Sequence, residues 1–218
     1  MRELVFDTET TGLSPAEGHK IIEIGFIELI NRVPTGGQFH QYINPERDIS
    51  VESTRITGIT NDRVAGEPIF KEIIPELVAF IGDSPLIAHN ASFDMGFLHA
   101  EFKHAGLTPL NNEVIDTLKI SRKALPGSRH TLDALCKRFN ITAHGQRGLH
   151  GALLDAQLLA EVYIELTGGL QESLVLETTT QNVIQTVQKT SFSRAPLVIL
   201  PTEMENNNHD AWRTKISN

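Results

Sequence analysis

Apolar and polar positions divide the chain into short β-branched runs followed by helical stripes. Leu4-Val5-Phe6 is an apolar run leading into Asp7-Thr8-Glu9-Thr10-Thr11-Gly12, the pattern of a strand ending in a polar turn. Ile21 to Ile30 is rich in β-branched residues. The turn cluster Asn31-Arg32-Val33-Pro34-Thr35-Gly36-Gly37 follows it, and then Phe39-His40-Gln41-Tyr42-Ile43. That predicts a hairpin and, with the first run, an antiparallel meander. From Phe70 to Ile81 the residues Ile73, Ile74, Leu77, Val78 and Ile81 recur at helical spacing. Pro85-Leu86-Ile87-Ala88-His89-Asn90 predicts a short strand. Ser92 to His104 predicts a helix with Phe93, Phe97 and Leu98 together on one side, closed by Gly106. Val114-Ile115 reads as one more short strand. Leu132 to Phe139 and Ala152 to Leu166 predict helices, the second ended by Gly168-Gly169.

Three strands followed by alternating helices and strands predict an α/β fold with a mixed sheet, a hairpin-built half joined to crossover units. The texture changes after Gly169. Thr178-Thr179-Thr180-Gln181-Asn182 is polar and linker-like, and Leu197-Val198-Ile199-Leu200 stands between Pro196 and Pro201 with too little apolar surface around it for a second core. The expected division is a domain over residues 1–170, a short peptide at 171–176, a polar linker at 177–193 and a tail at 194–218.

Composition narrows the class. The 218 residues are 40% hydrophobic and 21% charged, which excludes wholesale disorder, and no apolar run approaches the roughly 18 residues of a membrane span. Acids near the start, in Met1-Arg2-Glu3-Leu4-Val5-Phe6-Asp7, argue against export. The single Cys136 excludes an internal disulfide and a thiolate cage, so the expected location is the cytoplasm. It sits among Leu132, Leu135 and Phe139 as a buried small hydrophobe would.

The net charge of −8 is uneven: residues 1–118 carry 8 Lys+Arg against 18 Asp+Glu, whereas residues 119–147 carry 7 against 1. Lys119, Arg122, Lys123, Arg129, Lys137, Arg138 and Arg147 are the candidate phosphate footprint of an otherwise acidic chain. Composition alone favours a solvated helical face for them. The same bland reading, a residue on solvated surface, is favoured for His130, and a structural role for His89 and His99.

Three constellations carry potential chemistry. Asp7 and Glu9, two apart on a strand, leave from the same face. Carboxylates so close repel unless one is protonated or a hard divalent cation joins them. Asn90-Ala91-Ser92-Phe93-Asp94 offers Asn90 or Ser92 as a helix cap and places Asp94 near the first turn, where an ionised carboxylate is favoured. In His150-Gly151-Ala152-Leu153-Leu154-Asp155 the flanking Gly148 and Gly151 suggest that His150 lies on a loop leading into a helix that Asp155 opens, so both reach one site. Alone, the first reads better as a pair of solvated acids at a strand end and the second as an acid that stabilises its helix, while the third is equally a surface histidine and a helix-end acid.

Together, Asp7-Thr8-Glu9-Thr10-Thr11-Gly12, His89-Asn90-Ala91-Ser92-Phe93-Asp94 and His150-Gly151-Ala152-Leu153-Leu154-Asp155-Ala156 resemble the three motifs of the DEDDh exonuclease superfamily. Glu113-Val114-Ile115-Asp116-Thr117-Leu118, Ser128 through Cys136 and Leu149 through Gly169 narrow the resemblance to the proofreading (epsilon) subunits of bacterial DNA polymerase III, over about residues 1–170. The resemblance implies a ribonuclease H-like fold with a mixed five-stranded sheet and a tail. It also implies 3′→5′ removal of nucleotides from DNA 3′ ends. Two divalent cations, Mg²⁺ or Mn²⁺, would be held by Asp7, Glu9, Asp94 and Asp155, with His150 as general base.

Glu52 and Thr57 fall where family members contact the terminal nucleotide, as do Asp7, Glu9 and Asp155. Ile56-Thr57-Gly58-Ile59 departs from the usual Ile-His-Gly-Ile, and its hydroxyl equally suits a turn cap. Gln171-Glu172-Ser173-Leu174-Val175-Leu176 resembles peptides that dock on the β sliding clamp through one polar and two apolar anchors: Gln171, Leu174 and Leu176. The segment from Leu197 to Trp212 resembles the part that grips the polymerase α (catalytic) subunit. A small theta-like subunit is a further expected partner, and the replisome and nucleoid the expected setting. A free exonuclease for short RNA or tRNA ends is the alternative within the class. A binding subunit with a decayed site would lack a ligand, yet all five positions are filled.

Overall fold

The computed structural model describes residues 1–141 and 150–168, together with Met204 and His209. The chain divides into two units, Met1–Leu174 and Val175–Asn218. In the second, the described Met204 and His209 are helical and exposed.

In the first unit, β1 (Arg2–Thr10), β2 (Ile21–Ile30) and β3 (Val33–Tyr42) form the expected antiparallel meander. β4 (Leu86–Ala88) and β5 (Val114–Asp116) add parallel to it, giving a five-stranded sheet in the order β3-β2-β1-β4-β5. The helices in chain order are α1 (Val51–Thr57), α2 (Asn61–Val64), α3 (Phe70–Ile81), α4 (Ser92–His104), α5 (Thr117–Ala124), α6 (Leu132–Phe139) and α7 (Ala152–Leu166).

Strand alternation sorts the core into two layers. Leu4 and Phe6 of β1 face a cluster with Ile73 and Leu77 of α3 and Phe97 and Leu98 of α4. Val5, one step out of phase, joins Ile27 and Leu29 of β2 and Ala156, Leu159 and Tyr163 of α7 on the other face. Outside that second layer, Leu135 and Cys136 of α6 pack on Leu158 and Val162 of α7. Cys136 is buried as expected, and burial holds its thiol up at about 11, far from reactivity.

Three details differ from the sequence expectation. β1 does not turn at Asp7; it stays paired with β2 through Thr10, because Ile21 to Ile24 provide a partner edge for its polar end. α4 begins after Ala91 with no side-chain cap: the Ser92 hydroxyl reaches the Asn90 side chain at 3.4 Å instead of a backbone donor. The short helices α1, α2 and α5 are also new. Each is started by a polar side chain, Ser50, Thr60 or Asp116, that accepts a backbone N–H.

Candidate active site

The site lies where β1 outruns β4. β4 pairs with β1 only at Leu4 and Val5, so beyond them that edge of β1 is open to the start of α4. The Thr8 hydroxyl donates to Asp94 Oδ1 at 2.7 Å across this gap. Asp94 is buried, which pushes its carboxyl up to about 7; the charge of Asp116 adds to the rise, and the bonds from Thr8 and from backbone N–H groups oppose it.

On the other side α7 approaches the sheet at Gly25, which stands opposite Asp7 in the β1–β2 register. A Cβ on Gly25 would meet the backbone N and Cα of Leu153 at 2.5 Å. Only glycine lets the helix come so close. That approach carries Asp155, in the first turn of α7 and buried, up to β1. His150 precedes the helix on its lead-in segment, as the spacing suggested. Its N–H donates to the Ile56 carbonyl at 3.2 Å, and its Nδ1 lies 2.9 Å from Asp155 Oδ2.

The five residues therefore converge from three elements. Ligand atoms of Glu9, His150 and Asp155 all lie within 4.8 Å of one another. Asp7 feels the charges of Asp94, Glu9, Asp155 and Glu23, and these, after burial itself, push its carboxyl well above the usual carboxylate range. Acids crowded closely enough for their charges to raise Asp7 fit a hard divalent cation, whose charge removes the conflict and whose preferred donors are oxygens.

A cleft of about 540 Å³ opens beside Glu9, with Glu52, Ile56 and Thr57 of α1 on one wall and Leu13 and Phe93 among its apolar lining. Glu52 projects into solvent, 3.6 Å from Arg55. Thr57 borders the cleft but is buried; its hydroxyl donates to the Ser53 carbonyl at 3.0 Å and accepts from Ile59 N–H at 3.1 Å. Its polar group is thus turned into α1, as a turn-capping threonine would be.

Sequence reasoning passed over Thr8, Gly25, Leu13 and Ile56. Thr8 carried a readable signal, being the residue between two clustered acids and so directed to the opposite face. Elsewhere, His89 Nδ1 contacts the Thr117 hydroxyl at 2.9 Å and burial lowers its pKa, while His99 Nε2 is buried without a hydrogen-bond partner. Lys119, Arg122, Lys123, Arg129, Lys137 and Arg138 are exposed. Arg147, the residues Gln171, Leu174 and Leu176, the 177–193 linker and, apart from Met204 and His209, the segment from Leu197 to Trp212 lie outside the described residues. No helix among the described residues is long and apolar enough to cross a membrane.

A mixed sheet with converging acids at the end of its central strand fits the class to which comparisons with known proteins assign the chain, that of 3′→5′ exonucleases, which are phosphodiester hydrolases. The sequence pattern of the exonuclease family, RNase_T, matches residues 4–163. Among solved structures the chain is similar to exonuclease X in complex with 5′ overhanging duplex DNA, at a TM-score of 0.61 and 30% identity over 76% of this chain and 90% of that one. The fold is shared with the nuclease domain of 3′hExo, a DEDDh family member bound to rAMP, at a TM-score of 0.67 and 21% identity over 76% and 91% of the two chains. The DNA polymerase III subunit epsilon of Rickettsia felis is 46% identical over 99% of this chain and 97% of the relative, and that of Salmonella typhimurium is 46% identical over 77% and 72%. The chain belongs to the DNA polymerase III subunit epsilon family.

Proposed function

We propose that the chain is the proofreading 3′→5′ exonuclease of a replicative DNA polymerase, removing mispaired 3′-terminal nucleotides as 5′-monophosphates. The observation that carries this reading is the convergence of Asp7, Glu9, Asp94, Asp155 and His150 beside a cleft of nucleotide size.

Asp7, Glu9, Asp94 and Asp155 would hold two divalent cations, Mg²⁺ or Mn²⁺. Bound there, the cations supply Lewis-acid stabilisation of the scissile phosphate and of the attacking and leaving oxygens. The protein's own part is to fix and to shuttle. The Thr8 hydroxyl holds Asp94 in one orientation. The His150 imidazole, steered by Asp155, accepts the proton of the attacking water, as a general base does. Leu13, Ile56 and Phe93 offer apolar surface to the terminal nucleotide, with Glu52 and Thr57 at the rim.

The wider assignment follows the family. The match to the Rickettsia felis relative runs over 99% of the chain and so includes the tail. We assign residues 1–170 to the nuclease, Gln171, Leu174 and Leu176 to a sliding-clamp peptide, 177–193 to a linker and 194–218 to binding the polymerase α subunit, with a theta-like subunit as a further partner. The replisome, on the nucleoid, is the corresponding setting.

The test is digestion of a primer–template carrying a mispaired 3′ end in Mg²⁺, beside a fully paired primer and an RNA oligomer of the same sequence. Faster release of nucleoside 5′-monophosphates from the mispaired DNA is the expected result. Preference for the RNA end would replace proofreading with RNA trimming.

A further inference from the structure

α7 starts without a cap of its own. Its N-cap is Gly151, which has no side chain to accept one of the orphan N–H groups of the first turn. An acceptor comes instead from the sheet: Glu23 Oε2 of β2 receives the Ala152 N–H at 3.1 Å. The other oxygen, Oε1, lies 2.7 Å from His40 Nε2 of β3. Glu23 is only 3% exposed and stands in an otherwise apolar run, a costly place for a carboxylate unless both oxygens are engaged.

The strand register explains the coincidence. Asp7, Gly25 and His40 form one cross-strand row, and Glu9, Glu23 and Tyr42 form the next. The same two rows that present Asp7 and Glu9 thus present the bare glycine that α7 rests on and the acid that takes its first N–H. The His40 ring is backed by Tyr42, with centroids 5.1 Å apart, and the Arg63 guanidinium lies 3.9 Å from the centre of the Tyr42 ring.

We infer that Glu23, braced by His40, is a positioning residue for hydrolysis: it anchors the start of α7 and so sets where His150 and Asp155 stand relative to Asp7 and Glu9. This rests on the exonuclease reading above. His150 and Asp155 flank Ala152, so a slip of the helix start moves the base and one acid together. Glu23 contributes through α7 and needs no contact with substrate.

The experiment compares Glu23→Ala, Glu23→Gln and His40→Ala in the full chain with the unaltered protein. Turnover on a single-stranded DNA 3′ end should fall in Glu23→Ala by up to about 10²-fold, the scale of a displacement of about 1 Å, with KM within about three-fold. Glu23→Gln keeps an oxygen for Ala152 N–H and should recover most of that loss; His40→Ala should fall between the two. A second readout needs neither metal nor substrate: amide hydrogen exchange over residues 151–156 should quicken in Glu23→Ala, while α4 exchanges as before. Should Glu23→Ala fail to fold, His40→Ala and Glu23→Gln carry the same comparison. Lowered melting temperature with unchanged turnover, or Glu23→Gln as impaired as Glu23→Ala, would overturn the assignment. Absence of exonuclease activity in the unaltered protein would instead sink the functional reading, and the exchange data would still judge the anchor.

Discussion

The floor of the cleft and its α1 wall hold their polar groups in opposite ways. On the floor, Asp94 is tied by the Thr8 hydroxyl at 2.7 Å, and Asp155 is faced by the His150 ring at 2.9 Å. On the wall, the Glu52 side chain is 79% exposed, with Arg55 3.6 Å away, and the Thr57 hydroxyl is engaged twice by its own helix. The floor is organised before anything binds. The wall offers shape and apolar contact, with Ile56 42% and Leu13 84% exposed. Chemistry should therefore tolerate little alteration, and nucleotide recognition should tolerate a good deal.

The largest effects should come from the floor. Asp155→Ala removes an acid that His150 and the β1 carboxylates share, and should abolish Mg²⁺-dependent release of 5′-monophosphates while the circular dichroism spectrum keeps its folded form. Retained activity in a clean preparation would remove Asp155 from the chemistry. His150→Ala should reduce turnover by about 10²–10⁴-fold, the usual worth of a general base. Calorimetric titration with Mn²⁺ should still show binding in that variant, since the four carboxylates proposed to hold the cations remain.

How much of this contrast the sequence disclosed depends on the range of the forces involved. Helices α3 and α6 were legible from an apolar stripe, and α4 and α7 from long stretches rich in apolar residues that end near a glycine. The meander was legible from its β-branched runs, but its turn was read too long: only Asn31 and Arg32 form it, and Val33 to Gly37 already belong to β3, paired with β2. α1, with Val51-Glu52-Ser53-Thr54-Arg55-Ile56-Thr57, has no stripe to read; it forms through the Ser50 cap and the left-handed Gly58 that ends it. The acids of the floor were legible through their spacing and their family resemblance. The contacts that fix them were not, because Thr8 meets Asp94 across 86 residues and Glu23 meets Ala152 across 129. Gly25 appeared as an ordinary strand residue, and only the approach of α7 gives it a role. β1 was cut short because Asp7 and Glu9 look like turn residues, whereas β2 pairs with them regardless.

An intermediate effect concerns stability and pH in the absence of divalent cations. Asp94 titrates at about 7 in the folded chain against 3.8 for an ordinary aspartate, with burial as the main cause. The folded state then binds the proton more tightly than the unfolded state between those two values. The stabilisation from that proton is complete below the unfolded pKa and is lost as pH rises through the folded one. Asp7, raised by burial and by its neighbours, acts in the same direction. Asp94→Asn does not titrate at this position. Its melting temperature should therefore gain on that of the unaltered protein from about pH 4 to pH 7. Mg²⁺ at pH 8 should narrow the gap by stabilising the unaltered protein more. A difference that stays constant with pH would show that Asp94 is solvated in solution and that the floor is looser than its hydrogen bonds suggest.

The smallest effect should come from the wall. The Thr57 hydroxyl donates to Ser53 and accepts from Ile59, so Thr57→Ala removes two bonds internal to the α1 turn. The expected cost is about 1 kcal/mol of stability, visible as a lower melting temperature. KM for single-stranded DNA should stay within about three-fold, a difference of less than about 1 kcal/mol in binding. Glu52→Ala should change KM as little, since a carboxylate so exposed interacts through water and added salt screens it. A ten-fold rise in KM for Thr57→Ala at unchanged melting temperature would reverse the assignment: the hydroxyl would then be turned toward the nucleotide when substrate is bound. The wall would in that case be as directed as the floor, with its polar contacts formed only on binding.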